Sequence, residues 1–544
     1  MVDKVQPNSK KVFFSGVMLL TLSTVLVKLI GLFYKIPMLS YLGAEGMGYF
    51  NSAYEIYALF CVIATAGLPV ALSVLISEAL AKGKGALVAR IYSTALAVFL
   101  LIGVVGTLSM VLFARRFCHW MQSQNAYACI LSISPTVFCV CLSSAIRGYF
   151  QGHQKMLPTA ISQLLEAAGK LVFGLLLARY ALWRGFSTPT VAAYAGGGLT
   201  LGTFLSLLYL LLEKLRFDLG QRKQNGTEVS VEEPGSVLRS LGRLAVPVTL
   251  GASLVSLTKL IDMTMILRRL QSIGFSEVVA NEAYGSYTTL ALSVFGLLPT
   301  LVNAIALPLV PMLSSAIAAG DREKQEQMIR SCYQLTALFA LPAALALSAF
   351  ATPILQLLFP REPEAVRVAA PLLSYLGISV FLSCMITATN SVLHAYKVVN
   401  RPIASMVAGA VIKILSAYFL IGSPGIGLLG APISTFLCNA TVVLLNLWFA
   451  ARLCPMPSVK EVFLRPFGAA LLSVSLAMGA DWLMSQLLEP RALVTLLSLG
   501  LTCFLYLGFS FAFGGIRAED LSALPLGEKL LSLVRRMHLL RDEK

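Results

Sequence analysis

Residues 12–37 read Val12-Phe-Phe-Ser-Gly-Val-Met-Leu-Leu-Thr-Leu-Ser-Thr-Val-Leu-Val-Lys28-Leu-Ile-Gly-Leu-Phe-Tyr-Lys35-Ile-Pro37. Apart from Lys28 and Lys35 the run is apolar, aromatic or small, and a helix that crosses a bilayer needs about 20 such residues. Lys4, Lys10 and Lys11 precede it, as in a secretory signal. The run is too long for a signal, however, and it closes on Lys35-Ile-Pro37 without a small-residue cleavage site. It is therefore read as the first span of a helical membrane protein.

The rest of the chain repeats the pattern. Of 544 residues, 57% are hydrophobic and 12% charged, where soluble domains carry roughly a quarter charged; the mean hydropathy is +0.80. Fourteen apolar segments reach membrane length, at about 12–37, 49–78, 91–114, 127–146, 158–180, 190–213, 241–267, 284–313, 331–351, 368–396, 402–421, 428–450, 463–485 and 492–514. The net charge of +16 would point to nucleic acid in a soluble protein. Here little water-exposed domain remains to carry a basic patch, so no nucleic-acid partner is expected and the charge reports topology. With the N-terminus inside, 28 Lys and Arg fall on the cytoplasmic side and nine outside, which predicts a multi-pass protein of the cell membrane with both termini cytoplasmic.

The segments group into an N-terminal lobe (1–213), a polar cytoplasmic linker (214–240), a C-terminal lobe (241–450), two further spans (451–514) and a basic amphipathic tail (515–544). The two lobes repeat one another. Lys28-Leu-Ile-Gly returns as Lys259-Leu-Ile-Asp, Ser77-Glu-Ala-Leu-Ala-Lys-Gly83 as Ser314-Ser-Ala-Ile-Ala-Ala-Gly320, and the stretch Ala145 to Pro158 as Ser391 to Pro402. Six helices is an even number, so both copies enter from the same side, related by an axis along the membrane normal. The expected fold is an all-α integral membrane protein: two pseudo-symmetric six-helix lobes around a central cavity, plus two C-terminal helices.

An ionisable side chain deep in a span is costly and marks a functional site by default. Lys28 and Lys35 lie seven apart and share a helix face, and Lys259 is the repeat image of Lys28; snorkelling to an interface is the competing role for each. Lys413 matches Lys170 in the repeat but has no acid at the same spacing. Glu166, four before Lys170, is expected to pair with it along the helix, and Asp262, three after Lys259, is placed to do the same. Glu55 and Asp481 complete the acids, Asp481 near the outer boundary. Helix breaks are expected at Gly67 and Pro69 and at Pro299, Pro308 and Pro311, as bends that let a lobe open or as plain packing kinks.

No metal site is expected: the four histidines are scattered, no CxxC pair exists, and the cysteines in apolar stretches read as small buried hydrophobes. Gly83-Lys-Gly lacks the P-loop spacing. The chain is therefore read as a transporter without cofactor or catalytic motif, and as a monomer.

Gly43-Ala-Glu-Gly-Met-Gly-Tyr-Phe50 and Gly67-Leu-Pro-Val-Ala-Leu-Ser-Val-Leu-Ile-Ser-Glu78 resemble the stage V sporulation protein B group of polysaccharide and lipid-linked-oligosaccharide flippases, in the superfamily of the lipid II flippases and the multidrug and toxin extrusion (MATE) transporters. The resemblance runs over nearly the whole chain. It implies two lobes around a cavity, a lipid-tail groove on the last two helices, and basic residues of the first helix facing the cavity, where Lys28 stands with lysine in place of arginine. Lysine gives up bidentate phosphate recognition. The implied activity is transfer of an anionic polyprenyl-diphosphate-linked glycan from the inner to the outer leaflet, for wall, polysaccharide or spore-cortex synthesis. The substrate-binding set is then Lys28, Lys35, Lys259 and Lys413, with Glu55, Asp262, Glu166 and Lys170 as ion, proton or charge-balancing groups. The competing function is a Na+- or H+-coupled exporter of organic cations that uses Glu55, Asp262 or Glu166; the sign of the uncompensated cavity charge separates the two. A membrane glycosyltransferase and a non-transporting scaffold are further classes, the former disfavoured by short outer loops.

Overall fold

The computed structural model describes residues 7–222, 234–306, 309–398 and 400–514, and among these there is no β-strand. Residues 223–233 of the expected linker and the whole tail at 515–544 lie outside the described residues, as does Pro308. The chain divides into two compact units, Met1–Gly285 and Ser286–Lys544.

In the first unit α1 (Pro7–Thr65) runs for 59 residues. At about 1.5 Å per residue that is about 90 Å, three times a hydrocarbon core of about 30 Å. The helix breaks at Gly43, whose φ of 66° and ψ of 175° leave the helical region; a side chain at that positive φ would be strained. A turn at Ala66-Gly67 then separates α1 from α2 (Leu68–Ala81), with Pro69 in the first turn, where its missing N–H breaks no helical hydrogen bond. The unit continues through α3 (Gly85–Leu112), the short α4 (Ala114–Met121), α5 (Tyr127–Gly152), α6 (Leu157–Trp183), α7 (Thr188–Arg222), α8 (Pro234–Ser272) and α9 (Glu277–Ser286). The helix α8, which the repeat assigns to the C-terminal lobe, packs here on α1, α2 and α3.

Between α6 and α7 the backbones meet through glycine. A Cβ at Gly169 would stand 2.6 Å from the Gly202 Cα, and one at Gly202 would stand 2.7 Å from the Gly169 carbonyl carbon; Gly198 lies against Gly174 in the same way. Small residues at this spacing are how membrane helices approach closely when lipid removes the hydrophobic drive to associate. Gly202→Ala should therefore separate the pair and cost about 1–3 kcal/mol, read as a lower melting temperature in detergent. Gly197→Ala serves as control, because its nearest neighbour is 3.9 Å away. Equal melting of the two variants would show that the contact is not tight.

The second unit opens on a π-helical turn, Tyr287–Ala291, which leads into α10 (Leu292–Ala306), α11 (Leu309–Ala318), α12 (Arg322–Ala349), α13 (Ala351–Leu358), α14 (Pro363–Ala395), α15 (Asn400–Ile421), α16 (Gly430–Ala451), α17 (Arg465–Leu487) and α18 (Arg491–Ala512). Asp321 caps α12 by accepting from the Lys324 N–H at 3.1 Å, the usual service of an acidic N-cap. Its core gathers Ile329 and Tyr333 of α12 with Met385, Val392 and Leu393 of α14. Polar ties also join its helices: the Tyr506 hydroxyl donates to the Leu338 carbonyl at 2.7 Å, and Ser498 donates to Asp481 at 2.7 Å. Asp481 thus joins α17 to α18.

Twelve helices among the described residues are long and apolar enough to cross a membrane. Leu22–Ala81 counts once in that number although it holds the first two apolar segments, and segment 284–313 is divided among shorter helices around the π turn. Large apolar side chains point outward, with Leu101, Leu176, Leu444 and Phe504 between 59% and 75% exposed. Lipid is the solvent that such a surface matches; the chain is a multi-pass membrane protein. The same surface corrects the reading of the cysteines in apolar stretches as buried throughout. Cys503 on α18 is exposed, because in lipid the outer face of a helix is as apolar as its inner face.

Candidate functional site

Seven of the charged residues read from the sequence fall in the first unit. Lys28, Lys35 and Glu55 stand on α1, Glu166 and Lys170 on α6, and Lys259 and Asp262 on α8. Lys28 and Lys259 are exposed and act on one another electrostatically. Lys35, half-buried, lies in the field of Lys170, Glu55 and Lys259. Glu55, also half-buried, lies in the field of Lys259, Lys35 and Asp262. One neighbourhood on span-forming helices therefore holds the ammonium groups of Lys28, Lys35 and Lys259 against the carboxylates of Glu55 and Asp262, with Lys170 beside them in the field of Glu166, an excess of positive charge. An arrangement of this kind is tolerated only where water or mutual compensation lowers the burial penalty.

Glu166 has a different partner from the one expected. The Arg147 guanidinium on α5 closes an ion pair with it at 2.9 Å, while Arg147 Nε donates to Ser162 at 2.9 Å and the guanidinium also reaches Ser206 at 3.2 Å. The intrahelical Glu166–Lys170 pair is thus replaced by an interhelical one that ties α5, α6 and α7. Arg147 lies on the last turns of α5, which extends beyond the apolar segment, so hydropathy alone assigned it to the loop side.

Lys170 takes up another environment. Its ammonium lies 4.8 Å from the Tyr54 ring centroid, 5.0 Å from that of Tyr34 and 5.8 Å from that of Phe50, all within cation–π range. The aromatic residues Tyr34, Phe50 and Tyr54 form no recognisable sequence motif, because their spacing on α1 closes around Lys170 only through the break at Gly43.

Gly67 allows close packing as well as a helix break. A Cβ there would collide with the Ala245 carbonyl and stand 2.5 Å from the Thr249 hydroxyl, both on α8. Pro299 sits inside α10. Lys413 belongs to α15 in the second unit, where it is buried at 9% exposure. No group of three or more metal-ligating side chains occurs among the described residues.

Membrane-length helices in two compact units, with cationic side chains gathered on the spans of the first, define a helical membrane protein of the transporter class. The chain belongs to the polysaccharide biosynthesis protein family, whose profile matches residues 13–317; the MatE profile matches residues 247–419. Stage V sporulation protein B of Bacillus subtilis (strain 168) is 24% identical over 83% of this chain and 86% of its own length. Lipid II flippase MurJ of the same organism is 25% identical over 74% of this chain and 76% of its own length. A solved structure of lipid II flippase MurJ in an inward closed conformation superposes with a TM-score of 0.68 at 15% identity, covering 91% of this chain and 98% of that one; it shares the fold.

Proposed function

We propose that the chain is a flippase that moves an anionic polyprenyl-diphosphate-linked glycan precursor from the inner to the outer leaflet by alternating access, in support of cell-wall, polysaccharide or spore-cortex synthesis. The observation that carries this is the excess of ammonium groups at Lys28, Lys35 and Lys259 on span-forming helices. A diphosphate is the part of such a lipid that demands positive charge, and charge-assisted hydrogen bonds from lysine suit it. The relatives named lipid II flippase and stage V sporulation protein B support the same reading. Lys413 is a further substrate-binding lysine, Glu55 and Asp262 balance charge or carry a coupling Na+ or H+, both termini lie in the cytoplasm, and the protein works as a monomer.

The test is leaflet transfer of a fluorescent polyprenyl-diphosphate glycan by the purified protein in liposomes, beside uptake of an organic cation by the same preparation. Lipid transfer without cation uptake is expected. Cation uptake without lipid transfer would overturn the proposal in favour of an exporter built on Glu55, Asp262 and Glu166, a function to which the MatE match at residues 247–419 also speaks.

A further inference from the structure

The box around Lys170 is a built site. Tyr34 and Phe50 are 1% and 2% exposed, their ring centroids are 6.4 Å apart, and Phe50 stacks on Tyr54 at 6.3 Å with planes 18° apart. Gly174 leaves room for the first ring, since a Cβ there would stand 3.0 Å from the Tyr34 ring edge and hydroxyl. The Tyr34 hydroxyl is buried without a hydrogen-bond partner among the described residues, and Glu166 acts electrostatically on Lys170. Ring faces gathered about a positive charge are the means by which proteins recognise organic ammonium ions. In this protein the ammonium inside the box belongs to the chain itself.

We propose that Lys170 is a tethered ligand: it fills an aromatic ammonium site built from Tyr34, Phe50 and Tyr54, and so closes the first unit to organic cations. It is a specificity-determining residue that acts by exclusion. Rejection of a wrong ligand by a built-in competitor is as real a source of specificity as attraction of the right one. The assignment rests on α1 and α6 alone and stands whether or not the protein flips a lipid.

Lys170→Ala removes Cγ, Cδ, Cε and Nζ, the atoms of n-propylammonium, and that ion is the probe. Purified full-length protein is titrated with it by calorimetry, and its melting temperature is followed with and without the ion. Binding by Lys170→Ala at least tenfold tighter than by wild type is expected. Lys170→Arg, which keeps a cation in the box, and Lys170→Met, which fills it with an apolar chain, should both behave as wild type. Adding Tyr54→Leu to Lys170→Ala should abolish the gain. Should Lys170→Ala fail to fold, Lys170→Ser purified in the presence of n-propylammonium takes its place, with stabilisation by the ion as the readout. Folded Lys170→Ala or Lys170→Ser that takes up the ion no better than wild type overturns the proposal, as does tight binding by wild type itself.

Discussion

Lys28→Glu should abolish transfer of a polyprenyl-diphosphate glycan while leaving insertion and purification intact. The exposed side chain contributes little packing, and its charge is repelled by Lys259, so replacing it with a carboxylate relieves a local repulsion in the protein. The same change is severe for an anionic ligand. Loss of one charge-assisted contact is worth about 1.5–3 kcal/mol, and each 1.4 kcal/mol is about tenfold, so Lys28→Ala alone should slow transfer by about 10-fold to 100-fold. Lys28→Glu goes further, because its carboxylate both repels the diphosphate and pairs with Lys259, withdrawing a second cation. Lys259→Ala should resemble Lys28→Ala. Transfer rates in liposomes at equal protein density decide it, and wild-type transfer by the Lys28→Ala/Lys259→Ala double variant would remove these two lysines from the site.

Arg147→Ala should produce the largest loss of stability among the charged positions. Its side chain is 12% exposed and that of Glu166 25%, so removal of the guanidinium leaves a largely enclosed carboxylate without its cation and Ser162 and Ser206 without their donor. Breaking a buried pair from one side costs about 3–5 kcal/mol; partial exposure places the value at the lower end. Glu166→Gln, which keeps an oxygen to accept from Arg147, should cost much less. The double variant Arg147→Met/Glu166→Leu should recover much of the loss, since an apolar pair leaves no orphaned charge. Melting temperatures of wild type, Arg147→Met, Glu166→Leu and the double variant in one detergent close the cycle, and additive losses would show that the two residues do not act as a pair.

The helical membrane fold was legible because hydropathy at membrane length is a strong signal, and Lys28, Lys35 and Lys259 stood out as charges where charge is expensive. What stayed hidden depended on partners from other helices. Glu166 has two cations in range of its helix, and i,i+4 spacing favours Lys170; only the packing of α5 against α6 and α7 brings Arg147 to it. The box of Tyr34, Phe50 and Tyr54 was equally silent, since aromatic residues are common in apolar helices and the residues meet only because α1 breaks at Gly43. Cys503 misled for the opposite reason: apolar context implies burial in water, and in lipid it does not.

The glycine contacts between α6 and α7 bear on mechanics. Where backbone rests on backbone at Gly169 and Gly202, and again at Gly174 and Gly198, there are no long side chains whose rotamers could yield, and the two helices behave as one stiff beam. A motion that slid α6 along α7 would have to part these backbones, whereas one that carries the pair as a single body leaves every contact in place.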